Sequence, residues 1–431
     1  MGNRILLAGV FALLTIGVNE YAWCICPSAN PGQPRARGVG KASRQTDLET
    51  GIARIENGLL PAVTIKGQPL KMMTISDRMK HYKVPGVSLA FFDHEQILWT
   101  RTYGFADVAS KRPVTTETLF QAASISKPVS ALAALRLVQE GKVSLDEDVN
   151  LKLHSWKVPE NEFTREEKVT LRRILSHSAG LTVHGFPGYA SSEAVPTIVQ
   201  ILNGEKPANT APIRVDTVPG TLWRYSGGGY VMMQLLLSDV TGKRFPQILH
   251  DLVLQPAGMK HSTYEQPLPE YLKSSAATPY SSDGGPVKGG WHTYPEMAPA
   301  GLWTTPSDLA RLAIEVQKEY AGKSSKVLSQ EMMRQMLTPQ KANSGLGFAL
   351  GVPGRKLHFG HGGANEGFRC NLEAYMEGEG IAIMTNSDNG GELSSEVLRA
   401  VAKEYRWPDF QSAERARVKI DPAMLPRYVG V

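Results

Sequence analysis

Residues 124–141 read SISKPVSALAALRLVQEG, and this stretch decides the fold. From Pro128 onward it is apolar around most of a helical circumference, which marks a buried helix rather than a surface one. Pro128 suits a first helical turn and Gly141 a position just past the end. Ser124 and Lys127 stand at the start of this helix as Ser-x-x-Lys, a pattern that occurs nowhere else in the chain. Residues three apart share a helix face, so the lysine amine can reach the serine hydroxyl. An amine among apolar neighbours loses solvation, which favours its neutral, proton-accepting form. The helix N-terminus adds positive potential and a free N–H beside the hydroxyl. Alone the pattern is weak, since about one or two matches arise by chance in a chain of this size. It fits a serine cap beside a snorkelling lysine equally well.

Two later motifs change that balance. Tyr225-Ser226-Gly227 follows Pro219-Gly220 and opens a helix, GGYVMMQLLLSDV, at residues 228–240. A tyrosine facing the Ser–Lys pair can relay a proton from Ser124 to a leaving group, although a loop tyrosine packed on glycine is the commoner case. His361-Gly362-Gly363-Ala364 follows the apolar KLHF. Glycines there let a substrate approach the strand backbone, and a β-turn with an incidental histidine is the plain alternative.

Around these motifs the periodicity predicts the architecture. VPGVSLAFF (84–92) and QILWTRTYG (96–104) read as a hairpin with its tip at Asp93-His94-Glu95. The middle of the chain carries helices, VTLRRILSHSAG (169–180) and YVMMQLLLSDVTG (230–242) the clearest. Another is announced by Thr305, Pro306 and Asp308 as cap, first-turn proline and acidic third position. Strands return at KLHFGHGG, FRCNLEAYM and GIAIMTNS, followed by the helix LSSEVLRAVAKEYRW. Strands at both ends around a helical middle predict a discontinuous α/β (α+β) domain with a mostly helical insertion. Its sheet is mainly antiparallel, because its strands come as hairpins.

Taken in this order, the three motifs resemble those of the class C β-lactamase-related, penicillin-binding-protein-like serine hydrolases. That group includes D-alanyl-D-alanine carboxypeptidases, D-aminopeptidases and family VIII carboxylesterases. LFQAASISK, LRRILSHSAGLT, PGTLWRYSGGGYVMMQLLL, PAGM, AGLWTTPSDLARL and FGHGGANEGF carry the likeness across roughly residues 50–407. The resemblance implies a β-lactamase/transpeptidase-like fold and an acyl-enzyme formed on Ser124. Lys127 and Tyr225 share the base work, and the N–H groups of Ser124 and Ala364 form the oxyanion hole. His361 contacts substrate or assists proton transfer, with Gly227, Gly362 and Gly363 on the substrate side. Two departures stand out. Gly227 replaces the family's asparagine, which helps hold the amide side chain of peptide-like or β-lactam substrates. His361 replaces the lysine that class C β-lactamases use for the substrate carboxylate. Both weaken the case for efficient β-lactam hydrolysis and leave small-ester hydrolysis first. A D-alanyl-D-alanine carboxypeptidase or D-aminopeptidase comes second. A penicillin-binding sensor that does not turn over comes third.

Composition agrees with a globular enzyme. The chain has 431 residues, 42% hydrophobic and 20% charged, with a net charge of +6. Its basic residues are dispersed, which is a solvated surface and not a nucleic-acid footprint. Arg4 followed by the apolar run ILLAGVFALLTIGV at 5–18 predicts a signal peptide or N-terminal anchor over 1–24, and so a periplasmic or secreted protein. Membrane contact is then confined to that segment. Residues 25–46 have linker composition, 47–407 form the hydrolase domain, and 408–431 are a tail that docks as one strand or stays unordered. Cys24, Cys26 and Cys370 make no zinc site. Cys370 reads as a small buried hydrophobe. The implied chemistry needs no metal and no organic cofactor, only a small ester, peptide or β-lactam-like substrate. His177 reads as structural, Trp303 as core and Glu366 as an exposed turn carboxylate. The loop around His292 and Tyr294 is a candidate wall of the substrate mouth.

Overall fold

The computed structural model describes residues 41–351, 356–418 and 424. The sequence-derived signal segment, Cys24, Cys26 and most of the expected linker lie outside these. The chain divides into units 1–48 and 49–431. Of the first, residues 41–48 begin helix α1 (Lys41–Glu56), ahead of the Asp47 boundary expected from composition.

The hairpin expected at 84–104 is present. Strand β1 (Val63–Ile65) is followed by helix α2 (Ile75–Tyr82), then by β2 (Gly86–Asp93) and β3 (Gln96–Asp107). His94 and Glu95 connect β2 to β3 with φ of 49° and 63°. Two consecutive left-handed residues match the right-handed twist of the flanking strands. Next come β4 (Arg112–Pro113), β5 (Phe120–Gln121), helix α3 (Ser126–Gln139), α4 (Leu171–Leu175), α5 (Gly227–Thr241) and α6 (Met297–Ala300). The chain ends through β6 (Trp303–Thr304), α7 (Pro306–Tyr320), β7 (Ala349–Leu350), β8 (His358–Asn365), β9 (Phe368–Tyr375), β10 (Gly380–Thr385), α8 (Gly390–Glu404) and β11 (Ala413–Arg415).

Seven strands form one sheet in the order β4-β3-β2-β10-β9-β8-β7, antiparallel at every pairing. The N-terminal hairpin therefore lies beside the C-terminal strands, with the helical middle inserted between them. Helices cover both faces, which is why β2 reads as a continuous apolar run rather than an alternating one. Ala90 and Phe92 join the main core with Ala382 and Met384. Phe91, on the other face, stacks on Tyr405 at 4.0 Å. β11 pairs in parallel with β1, so part of the expected tail docks as a strand.

Local capping signals work as the sequence implies at two of the helices. Thr305 accepts from the Asp308 N–H, with Pro306 in the first turn of α7. Ser226 accepts from the Gly229 N–H at the start of α5, and Gly242 closes it with φ of 66°. The helix expected over 169–180 is shorter: α4 ends at Leu175, and His177 turns left-handed at φ 57°. The Ser176 hydroxyl donates back to the Arg172 carbonyl and bonds the Ser178 hydroxyl at 3.0 Å. Such side-chain bonds compete with helix propagation.

Candidate active site

Ser124 sits where a strand gives way to the buried helix. β5 pairs with β6, and the Ala122 N–H continues the ladder by donating to the Leu302 carbonyl at 2.8 Å. Ala123 is then left-handed, with φ of 48°. This is an uncommon conformation for a residue with a Cβ. A single 3₁₀ turn (Ala123–Ile125) leads into α3, so Ser124 lies just before the α-helix and half-buried.

The i, i+3 spacing brings Lys127 Nζ to 2.9 Å from Ser124 Oγ. The same nitrogen donates to the Pro299 carbonyl of α6 at 3.0 Å. Lys127 is 1% exposed. Burial alone lowers its pKa to about 7, because the charged form loses its hydration. The nitrogen lies 4.8 Å from the centroid of the Tyr225 ring.

Tyr225 precedes α5 and is held by histidines. The His177 ring stacks on it at 4.4 Å and 29°, and His184 lies at 4.8 Å. Burial pushes its phenol up to about 12, and the hydrogen bond with Ser124 opposes that push. Gly227 follows at the first turn of α5, where a Cβ would meet Phe186 Cε2 at 2.9 Å and the His184 carbonyl at 3.0 Å. The position therefore takes a side chain only if the 184–186 loop moves.

The third motif lies on β8. His361 is 6.1 Å from Tyr225, ring to ring. Its Nδ1 is 2.6 Å from the Gly362 carbonyl. A carbonyl only accepts, so Nδ1 carries the proton and Nε2 is an acceptor. Burial pushes the ring down to about 4, helped by Lys127. Because the Gly351 N–H donates to the His358 carbonyl on the β7 side, alternation along β8 turns the Gly362 and Ala364 backbone groups to that same edge. β7 pairs only with Phe359 and Gly360, so it stops short of them. Gly363 faces the other way in register with Cys370. A Cβ on it would lie 2.3 Å from the Ala122 carbonyl and 2.4 Å from Cys370 Sγ. The close approach expected at Gly363 is thus to the backbone that precedes Ser124.

A cleft of about 520 Å³ opens beside Tyr225 and His361, with Trp223, Ala349, Leu350 and Gly362 also on its walls. His177 lines it too, although the sequence marks that residue as structural. Its Nδ1 does bond a loop, accepting from the Ser226 N–H at 3.2 Å. Tyr294 is fully buried, donates toward the Pro187 carbonyl and accepts from the Glu366 N–H. His292 bonds the Pro187 carbonyl outside the cleft lining. Glu366 is exposed in the β8–β9 turn, and Trp303 is wholly buried. Among the described residues no group of three metal-ligating side chains stands together.

A family model described as Beta-lactamase matches residues 73–405. The chain belongs to the beta-lactamase family, a family of serine hydrolases. Within it, Penicillin-binding protein 4* of Bacillus subtilis (strain 168) is 24% identical over 78% of this chain and 76% of its own. Esterase EstB of Burkholderia gladioli is 31% identical over 45% of this chain and 49% of its own. Protein flp of Staphylococcus aureus (strain MW2) is 28% identical over 52% of this chain and 42% of its own. The chain thus covers less than half the length of EstB and of flp. Two solved structures share the fold. One is the octameric penicillin-binding protein homologue from Pyrococcus abyssi (TM-score 0.63, 23% identity, 77% of this chain and 76% of that one). The other is D-amino acid amidase from Ochrobactrum anthropi SV3 with L-phenylalanine (TM-score 0.63, 22% identity, 83% and 99%).

Proposed function

We propose that this beta-lactamase-family chain hydrolyses small esters through an acyl-enzyme on Ser124, and small amides more slowly. One observation carries the reading: a fully buried Lys127 amine 2.9 Å from the Ser124 hydroxyl, with a pKa lowered to about 7. An amine shifted this far is neutral in a substantial fraction of molecules at neutral pH and can accept a proton.

In the proposed cycle Ser124 Oγ attacks the carbonyl carbon as its proton passes to Lys127. The N–H groups of Ser124 and Ala364 receive the oxyanion. Preorganised donors of this kind are worth about 10² to 10³ in kcat each. Tyr225, a neutral phenol until about pH 12, gives its proton to the leaving oxygen or nitrogen and is reprotonated from Lys127. The carbon–heteroatom bond breaks and the acyl group stays on Ser124. Water then attacks the ester carbonyl as its proton passes to Lys127, the bond between the acyl carbon and Ser124 Oγ breaks, Lys127 returns the proton to Ser124 Oγ, and the acid departs. His361 Nε2 serves as an acceptor toward substrate or water. EstB, named as an esterase, supports ester chemistry as the first reading. Arg4 and the apolar run at 5–18 support export to the periplasm or beyond, with membrane contact confined to that segment. N-terminal sequencing of the exported protein tests that part.

The central test is p-nitrophenyl butyrate hydrolysis by the wild type and Ser124→Ala, with nitrocefin in parallel. Ester turnover that vanishes in the variant supports the reading. Equal rates from two folded samples overturn it. A penicillin adduct on Ser124 that lasts for hours without ester turnover indicates a sensor instead.

A further inference from the structure

We propose that the cleft beside Tyr225 is the leaving-group site, and that it selects neutral, apolar alcohols over anionic ones. The inference rests on the acyl-enzyme reading above and names the substrate class for it.

The first step is which end of the substrate the cleft holds. In that reading the carbonyl carbon sits at Ser124 Oγ, with its oxygen between the N–H of Ser124 and the N–H of Ala364 at the outer edge of β8. The leaving atom must then face the group that protonates it. Tyr225 is that group, and its ring forms one wall of the cleft with His361 beside it. The cleft therefore extends from the leaving atom, not from the acyl carbon.

The second step is what the walls recognise. Trp223, Ala342, Ala349 and Leu350 supply apolar surface, while Asn343 and Ser344 supply neutral polar groups. No lysine, arginine, aspartate or glutamate is among the described lining residues. The two histidines on the walls, His177 and His361, are both held below the ordinary histidine range by burial. Among the described residues, two nearby cations are turned elsewhere. Lys341 donates to the Gly220 carbonyl at 3.1 Å, and Lys127 is closed off by Ser124 and Pro299. A carboxylate entering this cleft would lose water and meet only neutral groups, with no cation to offset its charge, which is unfavourable. A phenyl or short alkyl group would exchange water for Trp223 and Leu350. At about 520 Å³ the space suits such a group.

Phenyl butyrate and 3-carboxyphenyl butyrate test this directly. They form the same butyryl-enzyme, and their phenols leave with similar intrinsic ease, so kcat/KM reads the cleft alone. Phenyl butyrate is expected to be favoured by about 100-fold or more. Ala349→Arg places a cation on an exposed wall position. It should raise kcat/KM for the carboxylated ester relative to phenyl butyrate and narrow the ratio by about tenfold. A wild-type ratio within about threefold, or a preference that Ala349→Arg leaves unmoved, overturns the proposal. If neither ester shows Ser124-dependent hydrolysis, the nucleophile reading itself fails and this inference falls with it.

Discussion

His177 holds Tyr225 from three directions. Its carbonyl accepts the Arg224 N–H at 2.8 Å, its Nδ1 accepts the Ser226 N–H at 3.2 Å, and its ring stacks on the phenol between them. Burial keeps the imidazole well below its ordinary pKa, so Nδ1 stays free to accept. His177→Ala removes the stack and strands a buried N–H, at a cost of about 1–3 kcal/mol. A displaced phenol should lower kcat by about 10² with KM little affected. In a Tyr225→Phe background the same change should add little, because the group being positioned is already gone. His177→Asn, which keeps a short acceptor and tolerates φ > 0, should recover part of the loss. Full additivity of His177→Ala and Tyr225→Phe would mean that His177 acts on something other than Tyr225.

Lys127 sets the pH profile. Its neutral form is the acceptor, so kcat/KM should rise with pH through about 7 and then level. His361 titrates near 4 and Tyr225 near 12, so of these three only Lys127 changes charge between. Lys127→Arg keeps the charge and cannot be deprotonated. It should lose about 10² to 10⁴ in kcat/KM, and the limb near 7 should vanish with it. Stopped-flow or pH-stat assays from pH 5.5 to 9 decide this, and a flat wild-type profile would remove Lys127 from the base role.

Much of this site was legible because its parts are local. Ser124 and Lys127 meet through helical spacing, Thr305 caps its own helix, and the β2–β3 hairpin closes on adjacent residues. The enclosure was not legible. The Pro299 carbonyl on Lys127, the His177 ring on Tyr225 and Phe186 beneath Gly227 all join segments far apart in sequence. Apolar periodicity says that a segment is buried but not against what. The left-handed turn at Ala123 was equally hidden, since alanine does not announce positive φ, and the enrichment of histidine there is too weak to have marked His177. The helix overestimated at 169–180 failed for a readable reason. Ser176, Ser178 and Gly180 all weaken its last turns.

Gly363 tests how tightly β8 must approach the nucleophile turn. A methyl at this position would overlap the Ala122 carbonyl and Cys370 Sγ. Gly363→Ala should cost about 1–3 kcal/mol by overpacking and move β8 away from Ser124, lowering kcat more than the loss of stability explains. Gly363→Ala with Cys370→Ala relieves the sulfur contact but not the backbone one. The double variant should therefore regain some thermal stability without regaining activity. Recovery of both together would show that Cys370, and not the Ala122 carbonyl, limits the approach.

Glu296 ties stability to pH at the loop that supports Lys127. It lies wholly buried just before α6, whose Pro299 and Ala298 carbonyls accept from Lys127 and Ser130. Desolvation raises its carboxyl from 4.5 to about 8. The folded state therefore holds a proton that the unfolded state releases above about 4.5. The stabilisation is fully present below that pH and fades as pH rises toward 8, by at most about 1.4 kcal/mol per pH unit. Glu373 and Glu319, raised to about 8 and about 7 by burial, act in the same direction, so the wild-type slope alone does not isolate Glu296. The difference between Glu296→Gln and wild type does. A glutamine cannot ionise, so the variant should gain on the wild type steadily between pH 5 and 8, and the gain should stop growing above 8. Urea unfolding at four pH values measures it. A difference that stays constant across that range would mean that Glu296 ionises as easily folded as unfolded, and that its burial is relieved by a route other than protonation.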